Sequence, residues 1–306
     1  MTDIDNSWYP SRWGADDVLG ALNLVNSASI LTALALVRQG RMVELGHVLE
    51  GEMPIPEFHG QYFANTQFTL ENGVEWHERN FGEMENGYSA QNLRISMSDQ
   101  SGTHIDQLNH VGFRQEDGAF RVYNGILNED IITSFGTSRL GAEHMTPILC
   151  RAVFADVAKL LGVQTLDLGY AISPEEIDQA LNAVGVEVRP GDAVFVNTGW
   201  GNHWTDPRTY ISGEPGLSKR CAQWAVEHNI ILWGLDQFAV DVLPVETPGE
   251  MLPVHIEMLT KNGIRLMENL FFDDLIEADV HEFCLIALPL KIKGGTGSPL
   301  RPIALF

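Results

Sequence analysis

The pattern of hydrophobic and polar positions predicts short strands and helices that alternate through the second half of the chain. Apolar runs bordered by turn residues are typical of strands, and amphipathic stretches that begin at a cap and end at glycine are typical of helices. The best-marked helix begins at the capping box Ser173-Pro-Glu-Glu176, with proline at its first helical position, and ends before Gly185. The other predicted helices are 29–39, 217–228 and 254–261, and the predicted strands are 41–49, 92–106, 151–157, 193–197, 230–235 and 264–270.

The first half of the chain has a different composition. Residues 50–87 are rich in glycine, proline, asparagine and aromatic side chains, which predicts long loops around short strands, and such loops are usually functional or mobile. No internal repeat and no clear linker divides the chain. The alternation of strands and helices therefore predicts an α/β fold with a mixed central sheet. We expect residues 1–40 to form an N-terminal arm that packs on a single domain, residues 41–306.

The composition excludes several classes of partner. The chain has 306 residues, with 41 acidic and 19 basic side chains, and a net charge of −22 at pH 7. Nucleic acids and anionic membranes both bind basic surfaces, so we expect neither as a partner. Cys150, Cys221 and Cys284 are isolated and odd in number, which is typical of reduced thiols in a cytoplasmic protein. The first residues lack the features of a signal peptide, and no apolar run reaches the roughly 20 residues of a membrane span, so we expect a cytoplasmic protein.

The segment 100–110, Gln-Ser-Gly-Thr-His-Ile-Asp-Gln-Leu-Asn-His, carries the densest group of ligand-type side chains. On an extended strand alternate residues project from one face, so Gln100, His104 and Asp106 would share a face, with a glycine leaving space between them. An imidazole and a carboxylate two residues apart are able to bind one divalent metal ion. His110, beyond a predicted turn, would lie beside the ion. The alternative is a polar strand face exposed to water, because a lone His-x-Asp is a weak motif.

A second candidate group is His255 with Glu268. Alternation along the strand 264–270 places Glu268 on the same face as Ile264 and Leu266. A carboxylate on an apolar face must be paired, protonated or bound to a metal, because burying an isolated charge costs several kcal/mol. His255 opens the preceding helix and would be able to meet it. The alternative is that Glu268 reaches solvent at the end of the strand.

Other polar and aromatic residues carry weaker signals. Asp236 and Asp241 flank the end of a buried strand, where the active-site loops of α/β sheets often lie, although turn or helix-cap roles are the simpler expectation. Trp13, Phe58 and Phe63 are candidates to line an aromatic substrate pocket, although ordinary packing is the simpler expectation for each.

These motifs resemble the cyclase family of metal-dependent hydrolases, which includes bacterial kynurenine formamidase and isatin hydrolase. The segment Ser101-Gly-Thr-His-Ile-Asp106, followed by His110, resembles the family signature. The resemblance is to the longer bacterial members, and it continues in order through 12–23, 191–199, 234–241 and 255–270. Two positions depart from the family pattern, since Gln100 stands where the formamidases have histidine and Ala239 where serine is usual.

The resemblance implies a swivelling β/β/α fold with a divalent metal cofactor, Mn²⁺ or Zn²⁺, and a homodimer or homotetramer. It implies His110 as the catalytic acid/base. The metal ligands that it implies are Gln100, His104, Asp106, His255 and Glu268. The amide oxygen of Gln100 is a harder and weaker donor than imidazole, which favours manganese or magnesium over zinc.

Taken together, these residues predict a metal-dependent hydrolase acting on a small-molecule substrate. It would cleave a small cyclic or N-acyl amide, or a lactone, to a carboxylate, using a metal-activated water and His110 as general acid/base. Two alternatives stay open. The first, suggested by Gln100, is a non-catalytic metal- or ligand-binding member of the same fold. The second is a metal-free acid/base lyase or isomerase that uses His110 with Asp106 or Glu268.

Overall fold

A nine-stranded mixed sheet forms the centre of the computed structural model, which describes residues 8–60, 64–69, 78–83 and 91–306. The described strands, numbered in chain order, are β1 Met42–Glu44, β2 Ala64–Thr69, β3 Gln91–Ser96, β4 His104–Asp106, β5 Phe113–Arg114, β6 Phe120–Arg121, β7 Ile132–Thr133, β8 Gly136–Thr137, β9 Ile148–Asp156, β10 Ala171–Ile172, β11 Ala193–Asn197, β12 Gly216–Leu217, β13 Leu232–Leu235, β14 Arg265–Glu268, β15 Glu282–Ala287, β16 Gly297–Pro299 and β17 Ile303–Leu305. In space the large sheet runs β1-β17-β15-β9-β11-β13-β14-β4-β16. The remaining strands form the two-stranded sheets β2–β3, β5–β6, β7–β8 and β10–β12.

Four neighbouring strands in the middle of the large sheet, β9, β11, β13 and β14, run parallel to one another. Every residue of β11 and of β13 is buried. Strands covered on both faces need nearly continuous apolar sequence, which is why the pattern predicts residues 193–197 correctly and 230–235 to within two residues. Antiparallel strands complete the sheet, with β15 and β17 beyond β9, and β4 and β16 beyond β14.

Helices cover the sheet and contribute to one extensive hydrophobic core. The capping box predicted at Ser173 is present, since the Ser173 side chain accepts from the Glu176 amide and Glu176 accepts from the Ser173 amide. The main α-helices are Ser27–Leu34, Asn128–Ile131, Val157–Leu161, Pro174–Ala183, Pro207–Tyr210, Lys219–His228, Pro253–His255 and Asp273–Glu277. Turns of 3₁₀-helix occur at Gly20–Leu24, Glu57–His59, Tyr123–Gly125, Ala142–His144 and Trp200–His203.

The helix predicted at 254–261 is present in a wider form. One turn of α-helix, Pro253–His255, continues as a π-helix, Ile256–Asn262, which ends at Gly263 with a φ of 66°. π-Helical turns are rare and occur frequently at functional sites. The prediction therefore identifies the element correctly and misses its hydrogen-bond pattern.

The single strand predicted at 92–106 is wrong. The segment forms two strands, β3 and β4, and the loop between them includes Gly102 with a φ of 63°, in the left-handed region that favours glycine. A Cβ at this position would lie 2.2 Å from Cδ2 of Leu49, so the chain packs closely there. Gly102 therefore turns the chain into β4 and does not leave open space on a strand face. Gln100 lies before β4, so it does not share a strand face with His104 and Asp106 as predicted.

The predicted α/β class with a mixed central sheet is confirmed. The helix predicted at 29–39 begins two residues earlier, after the cap Asn26, and ends at Leu34. The strand predicted at 41–49 is shortened to β1. Among the described residues, no helix has the length and apolar character that crossing a bilayer requires.

Candidate metal centre

Two histidines and two carboxylates meet where β4 and β14 lie side by side. His104 Nε2 lies 3.2 Å from Glu268 Oε2 and 3.6 Å from Asp106 Oδ1. His255 Nε2 lies 3.2 Å from Glu268 Oε1 and 3.5 Å from Asp106 Oδ2. All four side chains are buried. The two groups of residues that the sequence suggests separately therefore form one cluster, which we call the His-carboxylate cluster.

Strand pairing explains why these side chains meet. His104 and Asp106 are two residues apart on β4 and project from the same face. β14 runs antiparallel to β4 with Glu268 directly opposite His104, so these two side chains are neighbours on that face. His255 approaches from the helical turn that precedes β14. Two residues distant in sequence are thus added to a local pair.

Both histidines of the cluster are oriented through their Nδ1 atoms. Asp241 Oδ2 lies 2.5 Å from His255 Nδ1, and its carboxylate also accepts from the backbone amides of Val254 and His255. His104 Nδ1 donates to the carbonyl oxygen of Gly102 at 2.9 Å. Each Nε2 is thereby turned toward the carboxylates, as in metal-binding histidines whose other nitrogen is held by a hydrogen bond. Asp241 therefore caps the helical turn Pro253–His255 and also positions the His255 ring.

The cluster contains buried polar atoms that lack hydrogen-bond partners. Among the described residues, both carboxylate oxygens of Asp106 and Nε2 of His104 are buried without such a partner. An unsatisfied buried group costs about 1–3 kcal/mol. One ligand atom from each of His104, Asp106 and Glu268 lies within 4.8 Å of the others. Imidazole nitrogen and carboxylate oxygen atoms in this arrangement fit a divalent metal ion, and this donor set suits both Mn²⁺ and Zn²⁺.

The same contacts shift the pKa values of the cluster. Burial, together with the negative charge of Glu268, raises the pKa of Asp106 to about 7. Burial also acts to raise the pKa of Glu268, but the close contacts with the His104 and His255 imidazoles, and their positive charge, outweigh it and hold that pKa well below its usual value. Burial acts to lower the pKa values of both histidines, but the contact of His104 with Glu268, and the contacts of His255 with Asp241 and Glu268, outweigh burial and raise both values. Metal binding would displace the protons, since an imidazole must be neutral to bind a metal.

His110 lies at the edge of the His-carboxylate cluster. One of its ring nitrogens is within 4.8 Å of a ligand atom of Asp106 and of His255. Burial lowers the pKa of His110 to about 3, and the positive charge of His255 contributes to this shift. The ring is therefore neutral at neutral pH. A neutral imidazole beside the reacting groups is able to donate or accept a hydrogen bond there.

Gln100 contacts His110 from the loop before β4. Its Nε2 lies 3.1 Å from His110 Nδ1 and donates to Thr296 Oγ1 at 3.1 Å. Its Oε1 is buried and has no hydrogen-bond partner among the described residues. The amide nitrogen therefore contacts His110, and the oxygen is available to another group. That Gln100 binds the metal stays a prediction.

Sequence reasoning missed His59, which also lies near the cluster. His59 is half-buried at the end of the 3₁₀ turn Glu57–His59, and its ring centre is 6.4 Å from that of His110. Burial lowers the pKa of His59, with a further contribution from the charge of His104. The available signal is its place in the segment 50–87, whose composition predicts functional loops.

The aromatic residues predicted to bind substrate lie in different places. Trp13 lines a surface cavity of about 300 Å³ together with Tyr123, and no described contact joins Trp13 to the His-carboxylate cluster. Phe58 is 75% exposed, and its ring centre lies 4.4 Å from that of His59. Phe63 lies outside the described residues. Phe58 therefore lies on the loop that approaches the cluster, and Trp13 lies on another cavity.

Asp236 has the turn role that is the simpler expectation from the sequence. Its carboxylate accepts hydrogen bonds from the amide and hydroxyl of Thr198 and from the amide of Gly201. These bonds connect the ends of two neighbouring parallel strands, β11 and β13. Asp236 therefore stabilises the loops at this edge of the sheet.

Comparison with known proteins agrees with this geometry. The Cyclase family model matches residues 43–242, about two thirds of the chain. The chain belongs to the Cyclase family. A solved structure described as a novel cyclase shares 26% sequence identity with it, covers 96% of each chain and superposes with a TM-score of 0.82. The predicted swivelling β/β/α fold of the Cyclase family is confirmed.

Two curated relatives resemble this Cyclase family member over much of its length. The kynurenine formamidase of Bordetella petrii is 29% identical over 172 residues, which are 56% of this chain and 69% of that protein. The isatin hydrolase of Roseibium aggregatum is 23% identical over 286 residues, which are 92% of this chain and 97% of that protein. One relative is thus named as a formamidase and the other as a hydrolase.

Proposed function

We propose that the protein is a metal-dependent hydrolase that cleaves a small cyclic or N-acyl amide, or a lactone, to a carboxylate. The observation that carries this proposal is the His-carboxylate cluster, in which both carboxylate oxygens of Asp106 and Nε2 of His104 are buried without a hydrogen-bond partner among the described residues. The relatives named kynurenine formamidase and isatin hydrolase support an amide as the scissile bond. The exposed ring of Phe58 on the neighbouring loop favours a substrate with an aromatic or otherwise apolar body.

The metal would be Mn²⁺ or Zn²⁺, held by His104, Asp106, His255 and Glu268. When bound, such an ion lowers the pKa of a water toward about 7 and polarises a carbonyl group. The protein keeps the four donor side chains in place, through strand pairing for three of them and through Asp241 for His255. Their burial keeps bulk water away and strengthens every electrostatic interaction at the site.

His110 is the proposed catalytic residue. It lies beside the cluster, and no carboxylate among the described residues forms a hydrogen bond with its ring. Its lowered pKa keeps it neutral over the physiological range. It is placed to exchange protons or hydrogen bonds with the reacting groups of the substrate. Gln100 and His59 flank its ring.

The test combines elemental analysis with hydrolysis assays on the purified protein. We expect bound Mn²⁺ or Zn²⁺ and turnover of at least one compound in a panel of formyl-anilides, cyclic imides, isatin-like amides and lactones. Activity should disappear when elemental analysis shows the protein to be metal-free, and return when the metal is added back. Full activity of metal-free protein would overturn the metal role. A bound metal with no turnover of any panel compound would overturn the catalytic role and favour a binding protein.

A further inference from the structure

The side chain of Gln100 is held in a chain of hydrogen bonds that begins at Asp99. Asp99 Oδ2 accepts from the backbone amides of Thr296 and Gly297, at 2.7 and 3.2 Å. Thr296 Oγ1 lies 3.2 Å from Oδ1 and 3.3 Å from Oδ2 of Asp99, and 3.1 Å from Nε2 of Gln100. The last contact of the chain joins Gln100 Nε2 to His110 Nδ1 at 3.1 Å.

The Thr296 hydroxyl determines how the Gln100 amide is oriented. This hydroxyl has one proton, and it donates that proton to Asp99, whose carboxylate also accepts from two backbone amides. Thr296 Oγ1 must then accept from its other neighbour, so the amide nitrogen of Gln100 faces Thr296 and His110. If the amide were turned over, Thr296 would have to donate its proton to the Gln100 oxygen. A lone pair of the Thr296 hydroxyl would then face the Asp99 carboxylate, which is unfavourable.

The unpaired atom of Gln100 favours the same orientation. Oε1 is buried where the described residues offer it no hydrogen-bond partner. Turning the amide over would put an NH₂ group, with two donors, into that place. An unsatisfied carbonyl oxygen is a more common and less costly defect than unsatisfied donors. The Thr296 contact and the unpaired oxygen therefore favour the same orientation of the Gln100 amide.

This orientation determines the tautomer of His110. One N–H of the Gln100 amide donates a hydrogen bond to Thr296, and the other points at His110 Nδ1, which must act as the acceptor. A neutral imidazole that accepts through Nδ1 carries its proton on Nε2. No hydrogen bond among the described residues engages His110 Nε2. That N–H is free to contact a substrate.

We propose that Gln100 is a positioning residue that holds His110 as its Nε2–H tautomer, so that His110 donates a hydrogen bond to the substrate carbonyl oxygen. This inference rests on the proposed hydrolase function and deepens it. A nitrogen that already carries a proton cannot take one from water, so His110 works as a donor and not as the general base. During hydrolysis the carbonyl oxygen gains negative charge, and a preorganised N–H donor stabilises it without losing its proton.

The absence of a side chain at Gly297, on β16, leaves space for the Gln100 amide. A Cβ at position 297 would lie 2.7 Å from Nε2 and 2.9 Å from Oε1 of Gln100, so the amide occupies the space that a side chain would take. Gln100 stands at the position where the family resemblance leads one to expect histidine. The arrangement therefore belongs to this chain and not to the family signature.

The tautomer can be read directly by NMR. Two-bond ¹H–¹⁵N correlation spectra of ¹⁵N-histidine-labelled protein distinguish protonated from unprotonated ring nitrogens, and His110→Gln identifies the His110 signals. In Zn²⁺-loaded protein, which is diamagnetic, we expect His110 to show a protonated Nε2 and an unprotonated Nδ1. Gln100→Glu, whose carboxylate accepts but does not donate, should move a proton to Nδ1. A proton on Nδ1 in the unsubstituted protein would overturn the inference, whatever the variant does.

Kinetics provide a second test with a matched pair of variants. A glutamine at position 110 keeps an N–H close to the place of Nε2, whereas alanine removes it. Loss of one such donor costs about 10²–10³ in kcat, so we expect His110→Ala to lose that factor and His110→Gln to retain roughly tenfold more activity than His110→Ala. Equal losses in the two variants would overturn the donor role. Absence of any hydrolysis would overturn the proposed function, and the NMR result would still stand by itself.

Discussion

His104 on β4 and Glu268 on β14 lie directly opposite each other in the sheet, and their side chains approach to 3.2 Å between Nε2 and Oε2. Removing the imidazole of His104 or the charge of Glu268 should abolish metal binding, because each is a proposed ligand and its loss leaves the other residue buried without its partner. We expect His104→Ala and Glu268→Gln to purify without stoichiometric metal and to lose at least about 100-fold in hydrolysis.

Elemental analysis of the purified variants checks this prediction. His144→Ala is the matched control, since the His144 side chain is 42% exposed and lies outside the cluster. It should keep its metal and its activity. Normal metal content in His104→Ala would contradict the ligand assignment.

Asp241 holds His255 at 2.5 Å and touches none of the other cluster residues through a described hydrogen bond. Asp241→Asn loses an acceptor for the His255 ring or for the backbone amides, so the imidazole should turn away from the metal. We expect the metal affinity to fall about 10- to 100-fold, measured by competition with a chromophoric chelator. Asp236→Asn is the control, because Asp236 is also buried and, among the described residues, its carboxylate bonds only to Thr198 and Gly201 in the loop after β11. Equal loss of metal affinity in both variants would point to general destabilisation.

Gly297 leaves room for the Gln100 amide, so Gly297→Ala should displace that amide and release the His110 ring. We expect kcat to fall roughly 10- to 100-fold while metal content is unchanged, since the atoms nearest to the new Cβ belong to Gln100 and to the carbonyl of Ile105, and not to His104, Asp106, His255 or Glu268. Steady-state kinetics with parallel elemental analysis check this. Gly51→Ala, where a Cβ meets nothing within 4 Å, should have no effect. Unchanged kcat in Gly297→Ala would argue against a role for the Gln100–His110 contact.

His47 should make the folded state sensitive to acid. Its ring stacks on Trp204, with ring centres 3.8 Å apart, and burial lowers its pKa from 6.5 to about 4. Between these two values the unfolded chain binds a proton that the folded protein does not. The contribution of about 3 kcal/mol is therefore complete above pH 6.5, falls as the pH falls, and is lost near pH 4.

Denaturant unfolding between pH 4 and 7 measures this effect. His47→Phe keeps an aromatic ring against Trp204 and cannot titrate, so its free energy of unfolding should fall less steeply with decreasing pH than that of the unsubstituted protein. His144→Phe, which makes the same substitution at an exposed histidine, is the matched control. Identical slopes for all three proteins would contradict the prediction.

Metal removal should destabilise the fold, because the ion binds the native cluster and the unfolded chain lacks that site. At a free metal concentration 100 times Kd, the stabilisation is about 2.7 kcal/mol. We expect the melting temperature of the metal-free protein to rise on addition of Mn²⁺ or Zn²⁺. His104→Ala should show no metal-dependent shift, and a shift of equal size in that variant would place the bound ion elsewhere.

The sequence predicts elements best where both faces are covered. β11 is buried along its whole length and apolar from Ala193 to Val196, so the sequence pattern alone predicts its bounds. The strand 92–106 fails because a left-handed glycine, Gly102, interrupts an alternating pattern that otherwise reads as continuous. Local alternation cannot show a backbone turn whose cause is close packing against Leu49, a residue about fifty positions earlier.

The candidate site divides in the same way. His104 and Asp106 are visible in the sequence because two ligands at alternate positions of one strand need no partner to share a face. The joining of this pair with Glu268 and His255, the anchoring by Asp241 and the approach of His59 all depend on contacts between distant segments. A single sequence does not report such distances.

The sequence alone predicts the α/β class, the core strands, the candidate ligand pair on β4 and, through its resemblance, the Cyclase family. The folded structure is needed to show that the two groups of candidate ligands form one cluster and that Gln100 turns its amide nitrogen toward His110. The physical reason is that strand periodicity and helix capping act between near neighbours in the chain. Hydrogen-bond direction, burial and the pairing of charges are set by segments that meet only in the folded protein.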